Sequence, residues 1–312
     1  MTLQAIKNYL VGRGPDDPLV HTALRLKGLS AGYQVKFVDD RISLQRGSRR
    51  ILLKKSAYVQ VPITMECFDQ FFASVFATER DGVSELDFSR PSLFRYKRSG
   101  VELFFPDIPE EDSMDAYTYW YTPQPGDVVW DVGAHAGCTS YFLAQMVGPT
   151  GRVFAFEPDE HNFECMLRNI AAHKLENVVP VKKALAGETG TMDFVMDGTM
   201  SAGLYDYIRY GDKTKLKTVQ TISLEDACRE FGSVPQYVKM DIEGSEVPVV
   251  QGSAEFLKQH PIHFSIESYH WIGDKLTYTL LEPFFPTIGY EVESSNKFGQ
   301  MFTWARPKNA TR

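Results

Sequence analysis

The sequence predicts an α/β protein whose larger part is a doubly wound, mostly parallel sheet. Between Gly126 and Gly137 a short apolar strand, Val128 to Val132, runs directly into a glycine turn, and an apolar helical pattern follows from Thr139 to Val147. Later in the chain, several short apolar strands end in carboxylates. Ligands of open α/β sheets bind beyond the carboxyl ends of the strands, so we expect the functional site at that edge.

Length and charge indicate an accessory region before the sheet. The chain has 312 residues and a net charge of −7; residues 1–60 hold eleven Lys/Arg and four Asp, a net +7, which leaves −14 for the remainder. This length is typical of one full domain plus an accessory region. We assign residues 1–115 to a small mixed α+β region for substrate specificity or oligomerisation, and residues 116–312 to the main domain. Homo-oligomer formation is left open.

The accessory region mixes helical and strand patterns and contains a basic cluster from Arg41 to Lys55. A hairpin with a solvated basic face is the favoured interpretation. The alternative is an anionic partner such as a nucleotide-sugar, a phosphorylated glycan or nucleic acid. The predicted helices are Leu3–Val11, Pro18–Leu29 and Cys67–Phe76, and the predicted strands are Tyr33–Val38, Arg41–Leu44, Ile51–Lys54, Leu86–Phe88, Leu93–Tyr96 and Val101–Phe105.

The cysteines and the N-terminal residues favour a cytoplasmic protein. The cysteines stand far apart without a C-x-x-C pair, which argues against a zinc finger or a disulfide framework. No apolar run approaches the ~20 residues that span a bilayer, and the first residues lack the pattern of a leader peptide. We therefore expect neither export nor membrane insertion. The four cysteines are Cys67, Cys138, Cys165 and Cys228.

An aromatic-rich segment, Asp115 to Tyr121, precedes the first strand of the main domain. Two interpretations stay open, because aromatic surface serves either purpose. The segment is a helix that caps the sheet, or it is a lid over a cofactor or an acceptor. Its aromatic residues are Tyr117, Tyr119, Trp120 and Tyr121.

The glycine turn and the strand after it indicate a ligand with an adenosine ribose but no phosphate. The second strand, Val153 to Phe156, closes on Glu157, 24 residues after Gly133, near the ~20 residues at which a carboxylate reaches ribose hydroxyls. Dinucleotide sites place a glycine in the middle of the loop to admit the pyrophosphate. Here Ala134 and His135 occupy the middle, which suits S-adenosylmethionine.

The remaining elements complete the sheet. Asp159 caps a predicted helix to about His173, and Asn177 to Val181 forms the third strand. Thr191–Met196 and Leu216–Ile222 then form a hairpin whose loop, Asp197–Lys215, could close over the site. The predicted apolar face of the helix is Phe163, Met166, Leu167 and Ile170, and the later strands are Tyr237–Asp241, Ile262–Glu267, Tyr290–Glu293 and Met301–Ala305, the last two as an antiparallel hairpin.

Five motifs in this order resemble one enzyme family. They are Gly126–Gly137, Glu157-Pro158 with Leu167–Ile170, Lys183–Leu185, Thr221–Asp226, and Val238–Glu246 followed by Val249, Val250 and Gly252. Over positions 115 to 306 the chain resembles the FkbM-family methyltransferases, a branch of the class I S-adenosylmethionine-dependent enzymes. The resemblance implies a seven-stranded sheet with an antiparallel last strand. It also implies O-methylation of a hydroxyl on a sugar, glycolipid or polyketide-type molecule.

The resemblance also implies the cofactor-binding residues. The chain departs from the family pattern at His135, where the family commonly has Asn. We favour the interpretation that His135 is a turn residue packed on the cofactor loop over one in which it makes a polar contact to the ligand. The implied contacts to S-adenosylmethionine, and to the product S-adenosylhomocysteine, are Asp131, Gly133, Ala134, His135 and Gly137 on the glycine loop, Glu157 and Pro158 at the ribose, Ala184 and Leu185 near adenine, and Asp241 at the reactive centre.

Methyl transfer to a hydroxyl requires alignment of the acceptor oxygen and removal of its proton. Our candidate base is Asp241 or Glu243, which takes the proton directly or through His270. Glu267 is the reserve candidate for the base. Lys239 would adjust the charge of the site. In the alternative, Lys239 and Asp241 form a structural ion pair, and alignment of the acceptor with the methyl group supplies most of the rate of methyl transfer. Asp241, Glu243 and Glu267 could hold a divalent metal, since oxygen ligands suit magnesium, but the spacing does not require one and none is predicted.

Three other functions fit the sequence less well. A nicotinamide-dependent dehydrogenase would have a glycine in the middle of the loop and a Tyr-x-x-x-Lys pair, and this sequence has neither. Methyl transfer to nucleic acid is disfavoured by the negative net charge of the chain. The motifs of enzymes that methylate exocyclic amines or the C5 position of bases are also missing. Lys239 and Asp241 leave methylation of the ribose 2′-hydroxyl of RNA open. A non-enzymatic scaffold is disfavoured by the carboxylates at the strand ends.

Overall fold

The computed structural model describes residues 13–195, 203–204 and 216–308. The chain forms two compact units, Met1–Asp112 and Ser113–Arg312, so that the division falls three residues before the expected one. Two expected features lie outside the described residues: the helix Leu3–Val11, and the loop Asp197–Lys215 apart from Gly203–Leu204. Each unit has its own sheet and is described by itself.

The first unit contains helices around a small sheet. Helix α1 starts where predicted, because Pro18 occupies its first turn and the Asp17 carboxylate accepts a hydrogen bond from the amide of Leu19 at 2.8 Å. Helix α2 and a preceding 3-10 turn, Lys55–Gln60, were not predicted. The helices of the described part are α1 (Pro18–Ser30), α2 (Val61–Glu66) and α3 (Phe68–Ser74).

The strands of the first unit form a five-stranded sheet and a separate ribbon. They are β1 (Gln34–Val38), β2 (Arg41–Arg46), β3 (Arg49–Lys54), β4 (Thr78–Arg80), β5 (Val83–Phe88), β6 (Ser92–Arg95) and β7 (Glu102–Phe105). The sheet order is β1-β2-β3-β5-β4, and only β3 and β5 pair in parallel, while β6 pairs with β7. Strand β4 was not predicted.

The predicted basic hairpin is confirmed as β2 and β3, and acidic residues neutralise much of its charge. Arg46 and Arg49 both contact Asp69, the latter pair at 3.4 Å. The guanidinium of Arg50 lies 2.6 Å from the buried carboxylate of Glu85. These three arginines therefore form ion pairs within the unit, where a solvated basic face had been expected.

The second unit is built around a seven-stranded sheet. Its strands are β8 (Val128–Val132), β9 (Arg152–Phe156), β10 (Val178–Val181), β11 (Ala184–Leu185), β12 (Gly190–Val195), β13 (Gly203–Leu204), β14 (Leu216–Ile222), β15 (Tyr237–Met240), β16 (His263–Glu267), β17 (Trp271–Ile272), β18 (Lys275–Leu276), β19 (Tyr290–Ser295) and β20 (Phe302–Pro307). Its helices are α4 (Cys138–Val147), α5 (Glu160–Ala172), α6 (Leu224–Phe231), α7 (Glu246–Gly252), α8 (Ala254–Gln259) and α9 (Tyr278–Phe284), with a 3-10 turn at Phe285–Ile288.

The strand order confirms the predicted architecture. It runs β10-β9-β8-β15-β16-β20-β19, and only β20 is antiparallel to its neighbours β16 and β19. Strands β9 and β15 flank β8 on opposite sides, so the order reverses beside β8 and opens a crevice at the carboxyl ends of the strands. The hairpin of β12 and β14 forms part of a smaller sheet with β11 and β13.

Helices cover both faces of the main sheet, because successive residues of a strand point to opposite sides. Val129 of β8 packs in the core cluster that contains Leu143 of α4. Trp130 packs in the opposite cluster, where its ring lies 6.0 Å from that of Phe231 of α6. Both β8 residues are fully buried. The sheet therefore holds its loops on a rigid, two-sided core.

The aromatic segment before β8 is not the helix offered as one interpretation. It makes a single turn, with the amide of Thr118 bonded to the carbonyl of Met114 at 2.9 Å. Its next carbonyl groups bind side chains of the sheet instead of continuing a helix. The carbonyl of Tyr117 accepts from Tyr237 and Ser265, both at 2.8 Å, and that of Ala116 accepts from the indole of Trp304 at 2.7 Å.

Helix α5 begins and ends as predicted, but one member of its predicted apolar face was wrong. Leu167 is 41% exposed, while Met166 is fully buried. Cys165, Asn162 and Asn169 are buried as well, since the helix presents a partly polar face to the glycine loop. The amide of Asn169 donates to the carbonyl of Ala136 at 2.8 Å.

Candidate active site

The glycine loop after β8 is held by the neighbouring strand and by the loop after β15. The amides of Gly133 and Ala134 both donate to the carbonyl of Phe156, at 3.1 and 2.9 Å. Gly133 has a φ of +78°, and a Cβ there would fall 1.8 Å from the carbonyl oxygen of Asp241. This glycine is therefore required by the contact between two protein loops. His135, with a φ of +48°, is a buried turn residue.

Gly137 occupies the start of helix α4, where it adopts a φ of +82°. A Cβ at this position would lie 3.0 Å from the side chain of Met166. The loop is thus packed against α5 on its second side. Three of five successive residues, Gly133, His135 and Gly137, have positive φ angles, which glycine adopts readily and which are uncommon for a residue with a side chain such as His135.

A buried ion pair joins β8 and β15 directly beneath the loop. Asp131 and Lys239 are opposite each other in the register of these parallel strands, and Lys239 Nζ lies 3.1 Å from Asp131 Oδ1. Lys239 also donates to the carbonyl of Gly133 at 2.7 Å, and Ser140 donates to Asp131 Oδ2 at 2.6 Å. The partner of Lys239 in this pair is Asp131, whereas the sequence had suggested Asp241.

Glu157 lies at the end of β9 with both carboxylate oxygens facing backbone amides. Oε2 accepts from the amide of His135 and Oε1 from that of Asp159, each at 2.8 Å. Burial raises the pKa of Glu157 to about 7, although these hydrogen bonds and His135 act in the opposite direction. Pro158 follows at half-buried depth and leads into the Asp159 cap of α5.

The predicted adenine segment lies outside the main sheet. Ala184 and Leu185 form β11, which pairs in parallel with β14 of the smaller sheet. Leu185 packs in the main core, and Ala184 packs near Phe194 of β12. Both are buried side chains on the β12 and β14 side of the domain.

Three side chains beyond β15 and β16 converge at the carboxyl edge of the sheet. His270 Nε2 lies 3.4 Å from Asp241 Oδ1 and 3.8 Å from Glu243 Oε2. One ligand atom from each of these residues lies within 4.8 Å of the others. The side chains of Asp241 and Glu243 are 29% and 24% exposed, but that of His270 is only 4% exposed. We call Asp241, Glu243 and His270 the edge cluster.

A buried carboxylate on α7 supports the edge cluster. Glu246 is fully buried; its Oε1 lies 2.8 Å from His270 Nδ1 and accepts from the amides of Ile242 and Gly244 at 3.1 and 3.3 Å. It thereby fixes both the imidazole and the turn that carries Glu243, whose φ is +56°. Burial disfavours the charged imidazole, but the carboxylates outweigh it and raise the pKa of His270 well above its ordinary value.

Glu267, the reserve base, ends β16 and is buried beside the aromatic segment. Its Oε1 accepts a hydrogen bond from the hydroxyl of Tyr117. Burial and the charge of Asp241 raise the pKa of Glu267 to about 8. Glu267 is absent from the group of described residues whose ligand atoms converge, where His270 takes the place that we had considered for it.

Sequence reasoning overlooked Glu246 and Ser140 as parts of the site, and it did not single out Tyr117 from the other aromatic residues of its segment. Glu246 had a signal, since it stands three residues after Glu243 at the start of a helix, a position where carboxylates bind backbone amides. Tyr117 had only its place in an aromatic segment. Ser140 looks like any small residue of an amphipathic helix, and its bond to Asp131 depends on three-dimensional packing.

The glycine turn, buried Glu157 and the edge cluster lie together at the carboxyl ends of the strands. This is the point where the strand order reverses. The second unit therefore has the seven-stranded, mostly parallel sheet that we predicted for the class I methyltransferase fold. The Methyltransferase FkbM domain matches residues 131–305, more than half of the chain. The chain belongs to the FkbM methyltransferase family.

Several solved structures are similar to the chain. The FkbM methyltransferase of Methylobacillus flagellatus KT is 16% identical with a TM-score of 0.43, over 60% of this chain and 45% of its own length, so the match spans less than half of that protein. A SAM dependent methyltransferase from Aquifex aeolicus is 16% identical with a TM-score of 0.35, over 59% of this chain and 82% of its own. M. jannaschii TYW2 in complex with AdoMet is 16% identical with a TM-score of 0.40, over 83% and 94%. A comparison with curated proteins gave no significant match.

Among the described helices, none has the length and apolar character needed to cross a membrane.

Proposed function

We propose that the protein transfers a methyl group from S-adenosylmethionine to a hydroxyl of a sugar, glycolipid or polyketide-type small molecule. The observation that supports this most directly is the contact between Gly133 and the carbonyl of Asp241. It makes the glycine loop and the edge cluster adjacent. A ligand on the loop and an acceptor at the carboxylates would therefore meet at one place.

The residues around the glycine loop fit this cofactor. A carboxylate has about four lone-pair positions, and two of those on Glu157 bind backbone amides. The other two suit the two hydroxyls of a ribose. Asp131 is fully buried and engaged by Lys239 and Ser140, so we assign Asp131 and Lys239 to the support of the loop.

The edge cluster supplies the proton acceptor in this proposal. When bound, S-adenosylmethionine supplies a methyl carbon whose bond to the sulfonium sulfur breaks as the bond to the acceptor oxygen forms, leaving S-adenosylhomocysteine. The proton of the acceptor hydroxyl passes to Asp241 or Glu243. These carboxylates are half-buried, so an acceptor can reach them from solvent, while buried His270 and Glu246 hold them in place.

The first test is calorimetric titration of the purified protein with S-adenosylhomocysteine beside NADH. We expect saturable binding of the first compound and its loss in Glu157→Ala. Binding of NADH alone would favour the dehydrogenase instead and would overturn the proposal.

The second test measures methyl transfer to a panel of hydroxylated glycans and small molecules, with RNA included. Asp241→Ala, Glu243→Ala and His270→Ala are compared with His260→Ala, a half-buried histidine at the end of α8. Turnover should fall at least tenfold in one or more of the cluster variants while cofactor binding persists. Unchanged turnover in all three would refute the proposed base, and transfer to RNA alone would refute the proposed acceptor class.

A further inference from the structure

The edge cluster has the dimensions of a metal-binding site. Bonds of ~2.0–2.3 Å to a divalent cation place neighbouring ligand atoms about 3–4.5 Å apart. The Nε2 atom of His270 lies 3.4 Å from Asp241 Oδ1 and 3.8 Å from Glu243 Oε2. All three ligand atoms lie within 4.8 Å of one another. One ion could therefore contact an imidazole and two carboxylates.

The orientation of His270 is a second, independent observation. Its side chain is 96% buried, and its Nδ1 donates to the buried carboxylate of Glu246, since an ionised carboxylate only accepts. This leaves Nε2 aimed at the carboxylates of Asp241 and Glu243, and Nε2 makes no hydrogen bond within the described residues. A histidine held by a carboxylate through its other nitrogen is the usual arrangement of a metal ligand.

The charge of the site also favours a cation. Asp241, Glu243 and Glu246 surround a single imidazole, and the nearby Lys239 lies against Asp131. Glu246 is fully buried, and carboxylates grouped this closely repel one another unless opposite charge compensates them. A divalent cation would supply that opposite charge.

We propose that Asp241, Glu243 and His270 bind a divalent cation, with Glu246 as the positioning residue of the histidine. One imidazole with two carboxylates suits Mn²⁺ and related borderline or hard cations. The role of the ion rests on the proposed function: it would bind the acceptor hydroxyl, orient its oxygen and lower the pKa of that hydroxyl. The proton would pass to an oxygen of Asp241 or Glu243 that does not bind the ion. The binding itself does not depend on that function.

The experiment is a titration of the full-length protein, stripped with EDTA and dialysed, with MnCl₂. Calorimetry and the loss of the free Mn²⁺ signal in electron paramagnetic resonance both report binding without any acceptor. We expect one ion per chain. Asp241→Asn should weaken binding at least tenfold, and Glu246→Gln should weaken it about 10–100-fold through the histidine that it positions. The matched control His260→Asn should bind like the unaltered protein.

His270→Asn should abolish binding of the ion. A thermal melt of each variant shows whether it is folded; if His270→Asn does not fold, Asp241→Asn, whose side chain is partly exposed, provides the test. Absence of saturable Mn²⁺ binding, or equal binding in Asp241→Asn and the unaltered protein, would overturn the proposal. S-adenosylhomocysteine is titrated into the same EDTA-treated protein. If S-adenosylhomocysteine binds and Mn²⁺ does not, only the metal site is refuted. If Mn²⁺ binds and S-adenosylhomocysteine does not, only the proposed cofactor is refuted.

Discussion

At the scale of single residues, Gly133 shows most directly how sequence and site are linked. We expect Gly133→Ala to destabilise the second unit by about 2–4 kcal/mol, because an added Cβ meets a backbone oxygen at 1.8 Å and the left-handed φ of +78° is itself unfavourable. Urea unfolding measures the change. S-adenosylhomocysteine binding should fall at least tenfold, since the loop must separate from Asp241.

The matched control is Gly232→Ala at the end of α6. This glycine has a similar φ of +66° but nothing within 4 Å of an added Cβ. Gly232→Ala should lower the free energy of unfolding by about 1 kcal/mol, which is the effect of backbone strain alone. Equal losses in the two variants would mean that the contact with Asp241 does not restrict position 133.

The pKa of Glu157 predicts how cofactor affinity depends on pH. Burial raises this pKa to about 7, so the carboxyl group of the ligand-free protein binds a proton as pH falls below that value. Ribose hydroxyls donate to the ionised form, so binding favours loss of the proton. Affinity for S-adenosylhomocysteine should therefore be roughly tenfold lower at pH 6 than at pH 8.

Calorimetry in buffers of different ionisation enthalpy tests this, because proton release on binding appears as a buffer-dependent heat near pH 7. Glu157→Gln is the control, since its side chain cannot ionise. Its affinity should be low at every pH. A pH dependence that persists in this variant would show that another group, such as His135, is responsible.

At the scale of elements, the pair of β8 and β15 depends on one buried ion pair. Lys239→Met leaves the fully buried carboxylate of Asp131 without its cation, which should cost about 3–5 kcal/mol in urea unfolding. Asp131→Asn combined with Lys239→Met removes both charges and should cost clearly less than the two single changes added together. Strictly additive losses would show that the pair is not coupled.

The elements that the sequence predicted correctly are those defined by local pattern. Apolar runs predict β8, β9 and β16 because a buried parallel strand needs little else, and the Asp159 cap predicts α5. The aromatic segment could not be predicted in this way. Its carbonyl groups bind Tyr237, Ser265 and Trp304, which lie over a hundred residues later in the chain.

The candidate site divides in the same way. Asp241, Glu243 and His270 could be placed at one edge from the ends of two strands, because parallel neighbours end on the same side. Their distances and the role of Glu246 depend on the turn between β15 and α7, where Glu243 and Gly244 both have positive φ. No local pattern distinguishes that turn from an ordinary helix start.

At the scale of the whole molecule, the two compact units predict a division of labour. The second unit, Ser113–Arg312, has two core clusters that share the main sheet, and a domain of this size can fold alone. Met114 lies in one of these clusters, so a fragment has to begin at Ser113. We expect this fragment to unfold cooperatively and to bind S-adenosylhomocysteine within about threefold of the full chain, because Glu157 and the glycine loop lie within it.

Methyl transfer by the same fragment tests the role that we propose for the first unit. If residues 1–112 supply acceptor specificity, the fragment should lose transfer while it keeps cofactor binding; if they supply oligomerisation, light scattering should show a smaller assembly than the full chain forms. Both measurements are made on the two proteins side by side. A fragment with the transfer rate and assembly of the full chain would leave the first unit without either role. A fragment that folds but no longer binds the cofactor would mean that the second unit does not form the cofactor site alone.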